Sequence, residues 1–201
     1  QVWQALSEYK ISRSDLIINL GGGVVTDMGG FIASVFKRGV KFINIPTSLL
    51  AMVDASVGGK TGIDLGAFKN QLGVFSDPVA VYIDYRFLST LPKKEWINGY
   101  AEMLKHGIIR SEKHWNNLIN THPDKVNIEL IFESVSIKND IVLNDPKELG
   151  ERKLLNFGHT IGHAIEGYFL EKELDVPHGV AVAWGMLLES KIALNRNMFS
   201  Q

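Results

Sequence analysis

The chain has 201 residues, 45% of them hydrophobic, and 21 Lys and Arg against 22 Asp and Glu give a net charge of −1. A near-neutral balance argues against a nucleic-acid or membrane surface as partner. The absence of cysteine excludes disulfides, thiolate metal ligands and a cysteine nucleophile.

The first predicted element is a buried strand over Asp15 to Leu20, followed by Gly21-Gly22-Gly23-Val24-Val25-Thr26-Asp27 and a helix over Met28 to Lys37. Strand, glycine turn and helix N-terminus together set backbone N–H groups and the positive end of the helix dipole beside an anion. Glycine permits the positive φ and close approach such a turn needs. Taken alone, a Gly-Gly-Gly turn is more often a plain tight turn than a cofactor cradle. It is neither a Rossmann fingerprint nor a Walker loop.

A second strand runs from Val40 to Pro46 and ends at Thr47 and Ser48. Short apolar strands alternating with helices imply a parallel sheet, with ligands at the carboxyl ends of its strands. Thr47 and Ser48 sit at such an end, where capping of the next helix is the simpler role. Next come Asp54-Ala55-Ser56-Val57-Gly58-Gly59-Lys60-Thr61-Gly62 and then Lys69-Asn70. Gly58 and Gly59 let the Lys60 ammonium meet a phosphate as a point charge. An isolated lysine is otherwise ordinary surface. Gly-Lys-Thr here lacks the earlier glycine of a P-loop, so a nucleoside triphosphatase is rejected. Val79 to Asp84 reads as a further strand.

The organisation splits near Leu91-Pro92. Residues 1–92 read as an α/β portion and residues 93–201 as mostly helical, with breaks at His122-Pro123, Asp145-Pro146 and Val176-Pro177. Within the helical half, Asn156-Phe157-Gly158-His159-Thr160-Ile161-Gly162-His163 sets two histidines one helical turn apart, on one face. Glu102, in Ala101-Glu102-Met103-Leu104-Lys105-His106-Gly107, and His178, in Pro177-His178-Gly179, complete a carboxylate-plus-imidazole set. Such a set suits a divalent metal, zinc by default. The competing view is a helix with two surface or capped histidines. His114 and His122 are expected on exposed helix ends or turns, and His106 has no assigned role. Metal groups from the helical half and cofactor groups from the α/β half imply a cleft between them.

Four blocks carry a family resemblance: Gly21-Gly22-Gly23 with Asp27, Pro46 through Gly62, Ala101 through Gly107, and Asn156 through Glu166. Their order and spacing resemble 3-dehydroquinate synthase, a sugar phosphate cyclase, over residues 15 to 190. The resemblance implies an incomplete parallel-sheet nucleotide-binding portion followed by an all-α domain. It implies NAD⁺ and Zn²⁺ or Co²⁺ as cofactors, and conversion of 3-deoxy-D-arabino-heptulosonate 7-phosphate to 3-dehydroquinate plus phosphate. Glu102, His159 and His178 would hold the metal. His163 would move to the phosphate side with Lys60, Asn70 and Asn156, which departs from a site in which both paired histidines coordinate.

The resemblance further implies that Lys138 and Arg152 grip the substrate carboxylate, that Lys105 and Asp54 face the substrate, and that Asp54, Lys60, Lys105 and His163 serve the chemistry. Gly21, Gly22, Gly23, Asp27, Thr47, Ser48 and Lys69 would belong to the NAD side. Arg38 would reach the neighbouring subunit's site in a homodimer. Without the blocks around them Arg38 would simply end a helix, Lys138 would lie on a solvated face and Arg152 in a charged turn. The chain departs from many members at Val180, where an acidic residue is usual.

No apolar run approaches the ~18 residues of a spanning helix and no signal sequence is apparent, so a cytoplasmic enzyme is expected. Family strands before Val2 and a helical portion after Gln201 are expected to be missing, leaving a fragment of low activity. Rival readings are a sister cyclase making an inosose or valiolone skeleton, a metal-dependent polyol dehydrogenase, and a non-catalytic nucleotide-binding scaffold. Lys138 and Arg152 with Asn156 and His163 weigh against the first, and Lys60 with Asn70 against the second. The retention of Glu102, Lys105, His159 and His163 weighs against the third.

Overall fold

The computed structural model describes residues 1–65, 68–174 and 176–198, the side chains of 68–70 excepted. It divides into two compact units, Gln1–Thr90 and Leu91–Gln201, and each is described by itself.

The first unit runs α1 (Val2–Glu8), β1 (Leu16–Gly21), α2 (Gly23–Val35), β2 (Lys41–Pro46), a π-helical turn (Ala51–Ala55), β3 (Lys60–Leu65), β4 (Phe68–Phe75) and β5 (Ala80–Val81). As expected, the sheet is parallel. β1 pairs with β2 from Leu16 opposite Lys41 to Gly21 opposite Pro46, and β5 pairs with the other edge of β2. Of the strand expected over Val79 to Asp84, only Ala80–Val81 forms. α2 is the crossover between β1 and β2, and it rides close on them because it carries Gly29 and Gly30. A Cβ at Gly29 would lie 2.1 Å from Asn19 Oδ1, and one at Gly30 would lie 2.5 Å from the Thr61 methyl. The space at Gly29 admits a buried amide pair: Asn19 Nδ2 donates to Asn44 Oδ1 at 2.9 Å. The two asparagines are register partners on adjacent strands, so each lies beside the group that offsets its burial.

Two expectations change here. α2 starts at Gly23 and not at Met28, so Asp27 lies inside the helix instead of in the turn before it. None of Gly21, Gly22 and Gly23 has positive φ. Space, and not backbone conformation, requires glycine at the first of them: a Cβ at Gly21 would sit 2.6 Å from a Val25 methyl, whereas one at Gly22 would make only an ordinary contact. The antiparallel hairpin of β3 and β4, with Lys60 opposite Phe75, follows a stretch in which sequence reading assigned no element. Gly58 and Gly59, at φ 104° and 65°, turn the chain into it.

The second unit contains α3 (Lys93–Arg110), α4 (Glu112–Ile119), α5 (Ile128–Asn144), α6 (His159–Glu171) and α7 (His178–Asn195). Breaks fall at the three expected prolines. Another, between α3 and α4, is set by Ser111, whose hydroxyl accepts from His114 N–H at 3.1 Å, and Asn127 caps α5 in the same way through Leu130 N–H. Ile137, Ile141, Val142 and Leu155 form a core cluster. α6 and α7 pack at very short range through glycines. A Cβ at Gly185 would lie 1.9 Å from the Gly158 carbonyl oxygen, and one at Gly162 3.1 Å from the Ala181 carbonyl oxygen. No helix among the described residues is long and apolar enough to cross a membrane.

Candidate functional site

Three helices of the second unit converge on one carboxylate. Glu102, in the middle of α3, is fully buried. Its Oε2 accepts an ion-pair hydrogen bond from Lys105 Nζ, one turn on and equally buried. Its Oε1 has no hydrogen-bond partner among the described residues. That oxygen lies 3.6 Å from His159 Nε2 and 3.7 Å from His178 Nε2.

These separations are too long for hydrogen bonds. They are close to the edge of a coordination tetrahedron, which for ligand bonds of about 2.0–2.1 Å is about 3.3–3.4 Å. A buried acceptor left without a donor is costly, and a cation held between it and two imidazole nitrogens removes that cost. The donor set of one carboxylate and two imidazoles fits a divalent ion of the zinc or cobalt kind.

Local structure explains why these side chains meet. His159 is the first residue of α6, set by Gly158 in the left-handed region at φ 81°. Only glycine fits there, since a Cβ would lie 2.5 Å from the Met186 side chain. His178 is the first residue of α7, following Pro177. The N–H of Gly179 donates to Asn98 Oδ1 at 2.5 Å, and Asn98 is one turn before Glu102 on α3. Asn98 therefore ties the start of α7 to the helix that carries the carboxylate.

His178 Nδ1 hydrogen-bonds Glu166 Oε2 at 3.0 Å, which leaves Nε2 to face Glu102. Sequence reasoning assigned no role to Asn98 or Glu166. The signal available for Glu166 was its place seven residues after His159, two turns along the same helix face.

His163 is exposed beside the set, and a ring nitrogen of each of His159, His163 and His178 lies within 4.8 Å of the others. The ring centroids of His163 are 5.3 Å from His159 and 5.7 Å from His178. The helical-face argument thus brings both paired histidines to one place, while the orphan carboxylate oxygen singles out His159 and His178.

The remaining predicted residues of this unit are also placed. Lys138 is buried on α5, not on a solvated face. Arg152 is buried in a 3-10 turn (Glu151–Asn156), where its Nη1 donates to Pro146 O at 2.9 Å. Asp145 holds this turn through the N–H groups of Leu149, Gly150 and Arg152. Those hydrogen bonds, the Gly150 and Leu149 ones first, lower its carboxyl pKa. Asn156 is exposed and donates to Glu148 Oε1 at 3.0 Å.

His122 is exposed, as expected, and bonds Asp124 at 2.5 Å. His114 is not: it is fully buried. Its Nε2 is 2.9 Å from Ser134 Oγ, which is also 3.3 Å from His106 Nδ1. Burial lowers the His114 pKa, opposed by Glu133, whose carboxylate oxygen is 3.1 Å from Nδ1.

In the first unit the glycine turn and the end of β2 adjoin. Thr47 N–H donates to Gly21 O at 2.9 Å, and a Cβ at Gly22 would touch Ser48 Oγ at 3.5 Å. Gly22 is the N-cap of α2 and Gly23 its first residue, with Asp27 half-buried one turn further on. Ser48 does cap locally, accepting from Ala51 N–H at 3.3 Å. Asp54 lies in the π-helical turn, a distortion often found at functional positions. Lys60 is exposed at the start of β3. Arg38 is exposed at φ 66°, in a 3-10 turn after α2. The side chains of Lys69 and Asn70 lie outside the described residues.

Among solved structures, a 2-epi-5-epi-valiolone synthase from Streptomyces hygroscopicus with NAD⁺ and Zn²⁺ bound is 27% identical. It aligns over 100% of this chain and 57% of its own, with a TM-score of 0.86. A 2-deoxy-scyllo-inosose synthase complexed with carbaglucose-6-phosphate, NAD⁺ and Co²⁺ is 28% identical, over 99% of this chain and 56% of its own, with a TM-score of 0.89. The 3-dehydroquinate synthase of Parabacteroides distasonis is 50% identical over 94% of this chain, and that of Clostridium perfringens 49% identical over 98%. The chain spans about half the length of these relatives, 55% and 57%. The 3-dehydroquinate synthase N-terminal model matches residues 1–98 and the C-terminal model matches residues 99–201, so both halves agree, and the chain belongs to the 3-dehydroquinate synthase family.

Proposed function

We infer that this chain carries the nucleotide-binding turn and the metal centre of a 3-dehydroquinate synthase. That enzyme converts 3-deoxy-D-arabino-heptulosonate 7-phosphate to 3-dehydroquinate and phosphate. The observation that carries the reading is the orphan Oε1 of buried Glu102, facing Nε2 of His159 and His178. When bound, the divalent ion would acidify substrate hydroxyls and polarise the carbonyl, while NAD⁺ accepts and returns a hydride.

The chain's own residues supply position and charge. Lys105 neutralises the carboxylate that holds the ion and keeps Oε2 occupied, leaving Oε1 for coordination. His163, exposed at the rim of the set, would meet a phosphate or pass a proton to it, with Asn156 as a further phosphate contact; in the first unit Lys60 is the candidate phosphate-binding cation. Arg152 and Lys138 offer cations for the substrate carboxylate; a guanidinium already oriented by Pro146 O loses little freedom on binding. Asp54 would bind substrate hydroxyls. The Gly21–Gly23 turn at the start of α2 suits a pyrophosphate, with Asp27, Thr47 and Ser48 beside it; the family resemblance adds Lys69 to this set.

Arg38, exposed on a constrained backbone, would reach across a homodimer. The greater identity to 3-dehydroquinate synthases than to the valiolone and inosose cyclases supports this substrate over theirs.

The test is phosphate release from 3-deoxy-D-arabino-heptulosonate 7-phosphate with NAD⁺ and Zn²⁺, using the full reading frame that encodes this chain. Release with 3-dehydroquinate accumulation, abolished by chelator and by His159→Ala, is expected. A folded protein that binds metal and NAD⁺ but releases no phosphate would contradict the reading.

A further inference from the structure

α6 carries no side-chain cap of its own, because its N-cap is Gly158. Its first amides are nevertheless bonded, and the partner comes from another helix. Glu189, three turns into α7, accepts from Gly158 N–H through Oε2 at 2.8 Å and from Ile161 N–H through Oε1 at 3.3 Å. These donors flank His159, which follows Gly158 directly.

We propose that Glu189 is a positioning residue for the metal centre: a carboxylate from α7 that caps α6 and thereby fixes where His159 stands relative to His178. The inference rests on His159 and His178 as metal ligands.

The geometry is reciprocal. α7 begins with His178 and holds the start of α6 through Glu189, while α6 begins with His159 and holds the start of α7 through Glu166, bonded to His178. Each ligand histidine is the first residue of its helix, and each helix start is bound by a carboxylate from the other. The glycine contacts of Gly158, Gly162 and Gly185 fix how closely the helices approach. Glu189 also places a carboxylate on the positive end of the α6 dipole, and it occupies the Gly158 and Ile161 amides. Groups bonded directly to a metal-ligating side chain change metal affinity by about 10–100-fold when removed; Glu189 acts one step back, through the backbone on either side of His159, so the lower end of that range is expected.

The test uses Co²⁺ binding to the full-reading-frame protein, followed by competition with a chromophoric chelator and by the visible d–d spectrum at saturation. Glu189→Gln keeps one acceptor oxygen and Glu189→Ala keeps none. Co²⁺ affinity is expected to fall about tenfold in the first and further in the second, with the spectrum shifted in both and Glu189→Asp partly restoring it.

Amide exchange in the metal-free wild type provides a second measure that needs no variant: Gly158 and Ile161 are expected to be protected. Wild-type affinity and spectrum in both variants, or rapid exchange at both amides, would overturn the inference. Failure of the ligand assignment looks different, since His159→Ala would then leave Co²⁺ binding unchanged.

Discussion

At the scale of single residues, burial decides which polar groups are structural and which are left for a ligand. Glu102 and His114 are both fully buried. Among the described residues Glu102 Oε1 has no donor and faces two imidazole nitrogens, while His114 Nδ1, which also makes no well-aligned hydrogen bond, lies 3.1 Å from the Glu133 carboxylate, and its Nε2 meets Ser134.

The lowered pKa of His114 has a consequence for stability. Its folded value lies below 6.5 because burial disfavours the imidazolium more than Glu133 favours it. Below about pH 6.5 the unfolded chain therefore binds the proton more readily than the folded one. The contribution is complete above 6.5 and is lost as pH falls from there to the folded value. Urea midpoints measured between pH 7.5 and 5 should fall more steeply for wild type than for His114→Gln. Equal slopes would count against a neutral, buried His114. The sequence signal for this burial is weak, the i, i+4 relation of His114 to Leu118 on one face of α4; the ring partners Glu133 and Ser134 come from α5.

At the scale of elements, the glycines of α6 and α7 act differently according to what surrounds them. Gly185 faces the Gly158 carbonyl, with 1.9 Å available for a Cβ, whereas Gly167 has nothing within 4 Å. Gly185→Ala must push α7 away from the start of α6 and should cost about 3 kcal/mol, the upper end of overpacking. Gly167→Ala, in an exposed helix interior, should stabilise by about 0.5–1 kcal/mol. Chemical denaturation of the two variants checks both signs, and a stabilised Gly185→Ala would refute the close packing.

The strands β1 and β2 and the proline breaks were legible because a short apolar run or a missing N–H acts locally. The Gly21–Gly23 turn was legible as a turn but not in its cause, which is the Val25 side chain one turn into α2. The hairpin of β3 and β4 was hidden because Gly58, Gly59, Gly62 and Gly73 dilute its alternation; at Gly62 and Gly73 a Cβ would strike the opposite strand, at 2.9 and 2.5 Å.

At the scale of the whole molecule, the parts of the proposed metal centre were legible separately: His159 in a histidine pair at i, i+4, and isolated blocks around Glu102 and His178. What sequence spacing leaves open is which imidazoles share an ion with the carboxylate, since that depends on how α3, α6 and α7 meet. Asn98, Glu166 and Glu189 each bond across these helices at a helix start, through contacts that no motif announces.

The most direct measurement is the equilibrium metal content of four variants of the full-reading-frame protein: Glu102→Ala, His159→Ala, His178→Ala and His163→Ala, each dialysed against limiting Zn²⁺. The expected result is loss of the ion in the first three and its retention in His163→Ala. Retention in Glu102→Ala with loss in His163→Ala would show a three-histidine site instead, and would contradict the assignment of the orphan carboxylate oxygen to the metal.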